Sequence, residues 1–339
     1  MIYFIFAVIV LLSLILSWIA QVVSRRYELF LDKPNQRSSH ARITPRCGGI
    51  PIYLISLVGC MIILKVADLQ TIGYLLGAAW IAAVGTIDDL VNLGGRPKIA
   101  GMVLAAIIPM ACGLKLGYLE IALNNQLALY LLTFIWIYGF INAFNFMDGI
   151  DGLVGGTAAI GAFFIIAVAV MTGNLFVSVI AMLLLATCMG FLVFNFHPAS
   201  LFLGDAGSMF LGYNFAVLGV MLTNGSANAA PIYLTLIIFA PLIYDSMVTF
   251  IRRGINGKNV FEAHREHLYQ RLIIMGMSHR DVSLIYYFLA LLFGLLALMF
   301  LSSGIVVRIG LIFLVLAIMI GFSYFVRRLE SLQKRITNG

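Results

Sequence analysis

Five short polar segments, far apart in a very apolar chain, carry the side chains that could do chemistry. Asp88 and Asp89 are adjacent carboxylates closing the run Gly85-Thr86-Ile87-Asp88-Asp89, and such neighbours repel unless a cation or a proton compensates. A second segment runs Asn142-Ala143-Phe144-Asn145-Phe146-Met147-Asp148-Gly149-Ile150-Asp151-Gly152. Its spacing of three lets Asn142, Asn145, Asp148 and Asp151 share one side of a helix or tight turn, although Asn, Asp and Gly also make ordinary turns. The third, Phe202-Leu203-Gly204-Asp205-Ala206-Gly207-Ser208, opens another apolar run. At a helix start, free N–H groups and the positive dipole end favour an anion or a metal–phosphate pair, and Asp205 there also suits a simple N-cap.

The fourth segment is basic: Arg252-Arg253-Gly254-Ile255-Asn256-Gly257-Lys258, then His264-Arg265-Glu266-His267-Leu268-Tyr269-Gln270-Arg271. The spacing predicts that His264 and His267 share a helical face, with Arg271 one turn on; His, Tyr and Gln there fit recognition of a nucleotide or sugar. The fifth, Asp32-Lys33-Pro34-Asn35-Gln36-Arg37-Ser38-Ser39-His40 followed by Thr44-Pro45-Arg46-Cys47-Gly48-Gly49, is too rich in polar groups for a topology signal alone. The carboxylates Asp88, Asp89, Asp148, Asp151 and Asp205 suit a hard, oxygen-seeking cation, Mg2+ with Mn2+ as the alternative. Metal-assisted phosphoryl transfer is the chemistry such a set supports, with cationic side chains clamping a diphosphate. Cys47, Cys60, Cys112 and Cys188 show no C-x-x-C spacing, and no Cys/His set at ligand spacing argues for zinc. Asp245, inside an apolar run, needs a partner, for which Arg252 or Arg253 is the nearest cation in sequence.

What must position these residues is a membrane bundle. Of the 339 residues, 62% are hydrophobic and only 10% charged, against about a quarter charged in soluble domains. The net charge of +7 does not signal nucleic acid, because the basic residues lie in loops between apolar runs. Arg25 and Arg26 follow the first run instead of preceding it, which predicts a retained helix, not a cleaved signal peptide. Runs near 2–24, 48–66, 70–87, 98–113, 126–143, 153–172, 175–195, 208–224, 230–250, 282–303 and 306–325 predict an all-α polytopic protein of about eleven transmembrane helices. It forms one bundle over 1–339, with catalytic loops at 25–47, 88–97, 144–152, 196–207 and 251–281.

With the N-terminus periplasmic and the C-terminus cytoplasmic, eighteen of the 21 Lys and Arg residues fall inside. All five histidines and all the acids except Asp68 and Glu120 fall on that side or near it. Acidic residues contribute little to topology, so their asymmetry predicts a catalytic face in the cytosol. A secondary transporter or lipid flippase is the competing class. It would place ionisable groups at the bilayer midplane within inverted repeats, and no repeat is visible.

Taken in order, the five segments resemble the polyprenyl-phosphate N-acetylhexosamine-1-phosphate transferases, over Asp32 to Arg271. The resemblance implies that a cytosolic UDP-N-acetylhexosamine and membrane undecaprenyl phosphate react to give polyprenyl-diphospho-sugar and UMP, with Mg2+ required, in the bacterial inner membrane. It further implies that Asp88 and Asp89 are catalytic and, with Asp205, metal-binding, and that Asp88 positions or deprotonates the lipid phosphate. On the same resemblance, Asn145, Asp148 and Asp151 would line the nucleotide site, and Lys98, His40, Arg252, Arg253, His264, Arg265, His267 and Arg271 would serve phosphate and sugar recognition. The loop ending in Arg271 is similar to that of the branch that starts O-antigen repeat units, leaving GlcNAc, QuiNAc, FucNAc and GalNAc as candidate sugars. Single and double displacement both fit, and a homodimer is compatible.

Overall fold

A computed structural model describes residues 2–32, 43–63, 68–117, 125–224, 230–259, 262 and 264–338. The helices are α1 (Ile2–Tyr27), α2 (Gly49–Ile63), α3 (Leu69–Val91), α4 (Gly95–Ala111), α5 (Gln126–Met147), α6 (Leu153–Thr172) and α7 (Leu175–Asn195). They continue as α8 (Gly204–Thr223), α9 (Tyr233–Ile238), α10 (Ala240–Ile255), α11 (Leu268–Ile274), α12 (His279–Ser302) and α13 (Ile305–Asn338). The only extended pairing among the described residues is a two-residue antiparallel ladder between β1 (Leu31–Asp32) and β2 (Thr44–Pro45).

Local sequence explains the breaks. Asp68 caps α3 by accepting the Thr71 N–H at 2.8 Å, and Asn92 ends it in the left-handed region at φ 51°. Gly173 ends α6 at φ 75° and Asn174 starts α7 by accepting the Val177 N–H, so the expected turn at 172–174 is present. Within the described residues each segment expected to span is mainly helical. Eight helices among the described residues are long and apolar enough to cross a bilayer, a smaller number than the eleven expected. Of the other three expected spans, α2 has 15 residues and α4 has 17. The run 230–250 is split at Phe239 into six-residue α9 and 16-residue α10, with Pro241 in the first turn of α10. The molecule is an all-α, multi-pass membrane protein.

Helix α8 is the axis: its apolar stretch is wholly buried, whereas α1 and α13 are mostly outward-facing. Helices α2, α3 and α5 pack on α8, and α1 and α6 on α7. Lipid supplies no hydrophobic force between helices, so close approach through small residues does the work. A Cβ at Gly85 would lie 2.5 Å from Ala206 Cα; glycine there lets the end of α3 touch the start of α8. Cross-helix hydrogen bonds add to this, as from Trp136 Nε1 to Ala216 O at 3.0 Å and from Ser13 Oγ to Thr187 O at 2.7 Å.

Candidate active site

The starting point is the free N-terminus of α8, whose first amides have no partner within the helix. Asp89, in the last turn of α3 and only 2% exposed, fills that role: its carboxylate accepts the Asp205 N–H at 3.0 Å and the Ala206 N–H at 2.9 Å. Gly204 makes room at φ +74°, where a Cβ would fall 2.6 Å from Asp89 Oδ2. Arg46 donates to Asp89 O at 2.9 Å and to Asn92 Oδ1 at 2.7 Å, tying the loop before α2 to the same corner. The sequence alone gives Arg46 no role; its place in the polar run Thr44–Gly49 is the available signal.

Asp88 points the other way. Its Oδ1 accepts the Leu93 N–H at 2.8 Å, and its Oδ2 lies 3.1 Å from Lys98 Nζ. Lys98, in the first turn of α4, donates to Asp205 Oδ2 at 2.6 Å. Asn145 Nδ2 of α5 reaches Asp205 Oδ1 at 2.5 Å and Ser208 Oγ at 3.1 Å. Four helices thus meet in the chain Asp88–Lys98–Asp205–Asn145. Asp148, just past α5, feels the same field. Burial, then the charges of Asp205 and Asp89, push its carboxyl well above the ordinary range.

The donor set fits a hard cation. Carboxylate oxygens of Asp88, Asp205 and Asp148 and the side-chain amide of Asn145 are oxygen ligands of the kind Mg2+ accepts, and Lys98 alone sits between Asp88 and Asp205. The two oxygens of Asp89, expected at the metal, each hold a backbone amide of α8.

The nucleotide segment divides. Asn145 and Asp148 face the acidic corner, but Asn142 donates back to Tyr138 O within α5. Asp151 turns to two histidines that sequence reasoning only counted: His197 Nδ1 at 2.7 Å and His279 Nδ1 at 3.2 Å. Its carboxylate also accepts the Ala199 N–H at 3.1 Å. The four side chains expected on one side therefore separate once α5 ends at Met147.

The basic loop also departs from expectation. Residues 264–266 are not helical; α11 begins only at Leu268. Asp245, fully buried, is partnered not by Arg252 or Arg253 but by the N–H groups of Leu268 (2.7 Å) and Tyr269 (3.1 Å) and by Tyr286 OH (2.5 Å). A carboxylate at a helix start satisfies orphan amides, and these are invisible to a reading that sums charges. Glu266 gathers the cations instead, with Arg253 NH1 at 2.6 Å, Lys258 Nζ at 2.9 Å and Arg252 NH2 at 3.6 Å. Arg271 pairs through both guanidinium arms with Glu330 of α13.

His264 and His267 do lie together, ring centroids 5.0 Å apart, and His267 packs on Phe146 and Tyr269. Tyr269 OH donates to Phe146 O at 3.0 Å, which docks this loop beside Asn145. Burial first, then His267 and Arg253, push the His264 imidazole down to about 4. Arg265 is partly exposed, and His40 lies outside the described residues.

A family model described as glycosyl transferase family 4 matches residues 71–223, the stretch that holds Asp88, Lys98, Asn145 and Asp205. The chain is 31% identical to a Bacillus subtilis protein named a probable undecaprenyl-phosphate N-acetylglucosaminyl 1-phosphate transferase, over 85% of this chain and 82% of that one. It is 30% identical to a decaprenyl-phosphate N-acetylglucosaminephosphotransferase of Mycobacterium tuberculosis (75% and 71% covered). A phospho-N-acetylmuramoyl-pentapeptide-transferase of Halalkalibacterium halodurans is also 30% identical (86% and 97% covered). With a membrane bundle, an acidic corner where four helices meet, and relatives matched over most of their length, the chain belongs to the polyprenyl-phosphate N-acetylhexosamine-1-phosphate transferases of glycosyl transferase family 4.

Proposed function

We propose that this protein transfers N-acetylhexosamine 1-phosphate from a UDP-sugar to undecaprenyl phosphate, giving polyprenyl-diphospho-sugar and UMP. The observation that carries the reading is the chain Asp88–Lys98–Asp205–Asn145, which brings acids, an ammonium and an amide from four helices to one point. An oxygen of the lipid phosphate attacks the β-phosphorus of the nucleotide. The bond from that phosphorus to the bridging oxygen breaks, and UMP leaves with the electron pair. Such a displacement needs alignment and charge neutralisation more than a strong nucleophile.

Asp88, at the rim of α3, orients the lipid phosphate and takes its proton if it carries one. Lys98 balances the diphosphate charge. Asn145 and Asp148 border the nucleotide, and the His264–Tyr269 loop, docked on Phe146, meets the sugar. Asp89 holds Asp205 in register by fixing the first turn of α8. When bound by Asp88, Asp205 and their neighbours, Mg2+ or Mn2+ would supply further neutralisation of the diphosphate oxygens. In our reading the site faces the cytosol of a bacterial inner membrane, a placement supported by the Lys and Arg asymmetry. The product enters cell-surface polysaccharide synthesis, O-antigen being the case favoured by the His264–Arg271 segment.

The test is direct. Purified protein with undecaprenyl phosphate, Mg2+ and a panel of radiolabelled UDP-N-acetylhexosamines should release UMP in step with a chloroform-soluble product. Asp205→Asn and EDTA should each abolish both. Full turnover in either case would remove the metal-assisted mechanism, and flux of sugar without UMP would favour transport.

A further inference from the structure

Asp151, His197 and His279 stand apart from the residues assigned above to the reacting phosphates. They come from the turn between α5 and α6, the loop between α7 and α8, and the first position of α12. One donor atom from each lies within 4.8 Å of the other two. We propose that these three side chains form a second cation site, one that takes a borderline transition metal such as Zn2+ in preference to Mg2+.

The donor chemistry argues for that class of metal. Two imidazole nitrogens and one carboxylate are a common zinc set, with a water completing four-coordination, whereas Mg2+ prefers oxygen ligands. Tetrahedral bonds of roughly 2.0–2.1 Å put neighbouring donors about 3.3 Å apart. Asp151 Oδ2 lies 2.7 Å from His197 Nδ1 and Oδ1 lies 3.2 Å from His279 Nδ1; an ion bound there would take the His279 nitrogen that now accepts the Asp151 N–H at 3.4 Å. Supporting contacts are in place, because the Ala199 N–H holds the Asp151 carboxylate at 3.1 Å and Ser283 Oγ donates to Asp151 O at 2.7 Å. Such outer contacts orient the groups that would hold the ion. Access is open on one side, where the His197 side chain is 38% exposed against 11% for His279. A bound ion would pin a turn, a loop and the start of α12 together, and the turn carries Asp148 only three residues from Asp151. The role is therefore to stiffen a wall of the site, and it does not depend on the transfer reaction.

Full-length protein in detergent, stripped with chelator and dialysed, should take up one equivalent of Zn2+ after desalting, counted by mass spectrometry. Co2+ should give visible absorption bands typical of low-coordinate sites. His197→Gln or His279→Gln should weaken uptake by more than about tenfold, and millimolar Mg2+ should not displace the metal. Asp205→Asn should bind zinc as the parent does, which separates this site from the acidic corner. His197 is outside any helix, so His197→Gln carries the test if His279→Gln fails to fold. Unchanged uptake in a folded histidine variant, or loss of uptake in Asp205→Asn alone, would overturn the proposal. So would absence of stoichiometric metal in the parent, which would leave a charge-assisted hydrogen-bond cluster only.

Discussion

Lys98 Nζ lies 2.6 Å from Asp205 Oδ2 and 3.1 Å from Asp88 Oδ2, so one ammonium joins the start of α4 to α8 and α3. Two carboxylates that would otherwise repel are held at a common cation. Replacing that cation by a neutral side chain of similar length should separate binding from turnover. In Lys98→Met, kcat should fall by about 10²–10³, the range seen when one preorganised charge is lost. The Mg2+ concentration needed for half-maximal rate should fall too, since the acids lose their resident counter-charge. A rise in that concentration would contradict the arrangement.

Adjacent aspartates should fail in different ways. Asp88→Asn keeps the fold, because Leu93 still finds an acceptor, and loses turnover. Asp89→Asn keeps an acceptor for only one of the two α8 amides and turns its own NH2 toward the other, at a cost of about 1–3 kcal/mol. Thermal unfolding in detergent should show a lower midpoint for Asp89→Asn and a near-parental one for Asp88→Asn.

Asp245 anchors the start of α11. In Asp245→Ala the Leu268 and Tyr269 amides and the Tyr286 hydroxyl lose a fully buried acceptor, and such losses cost about 3 kcal/mol or more. Folded protein recovered at low temperature should show a raised KM for the UDP-sugar with a smaller change for the lipid. Equal changes in both would argue against a loop dedicated to the donor.

His264 gives a pH prediction with a definite sign. Burial and then the nearby His267 and Arg253 depress its folded value to about 4, from an ordinary 6.5. Between these values the unfolded chain binds more protons, so stability rises with pH across the window and is lost as pH falls toward 4. Resolved histidine NMR signals should show one imidazole titrating near 4. His264→Gln should remove that signal and flatten the acid limb of the stability profile.

The apolar runs and their punctuation were legible in the chain: the segments expected at 153–172 and 175–195 are α6 and α7, separated by Gly173 and Asn174. Asp88, Asn145 and Asp205 could also be grouped by their places at the ends of apolar runs, whereas Lys98 joined them only through the family resemblance. Backbone amides as partners were not legible. Asp89 and Asp245 were read as charges seeking metal or arginine, yet both end on the first N–H groups of a helix. The break at Phe239 was hidden inside a continuous apolar run. Asp151 meets His197 and His279 across 46 and 128 residues, a distance at which spacing carries no information.

The grip of Arg271 on Glu330 joins two parts of the chain 59 residues apart. Helix α13 is mostly outward-facing, so a bilayer whose thickness tilts it pulls through that guanidinium on α11 and on the His264–Tyr269 loop ahead of it.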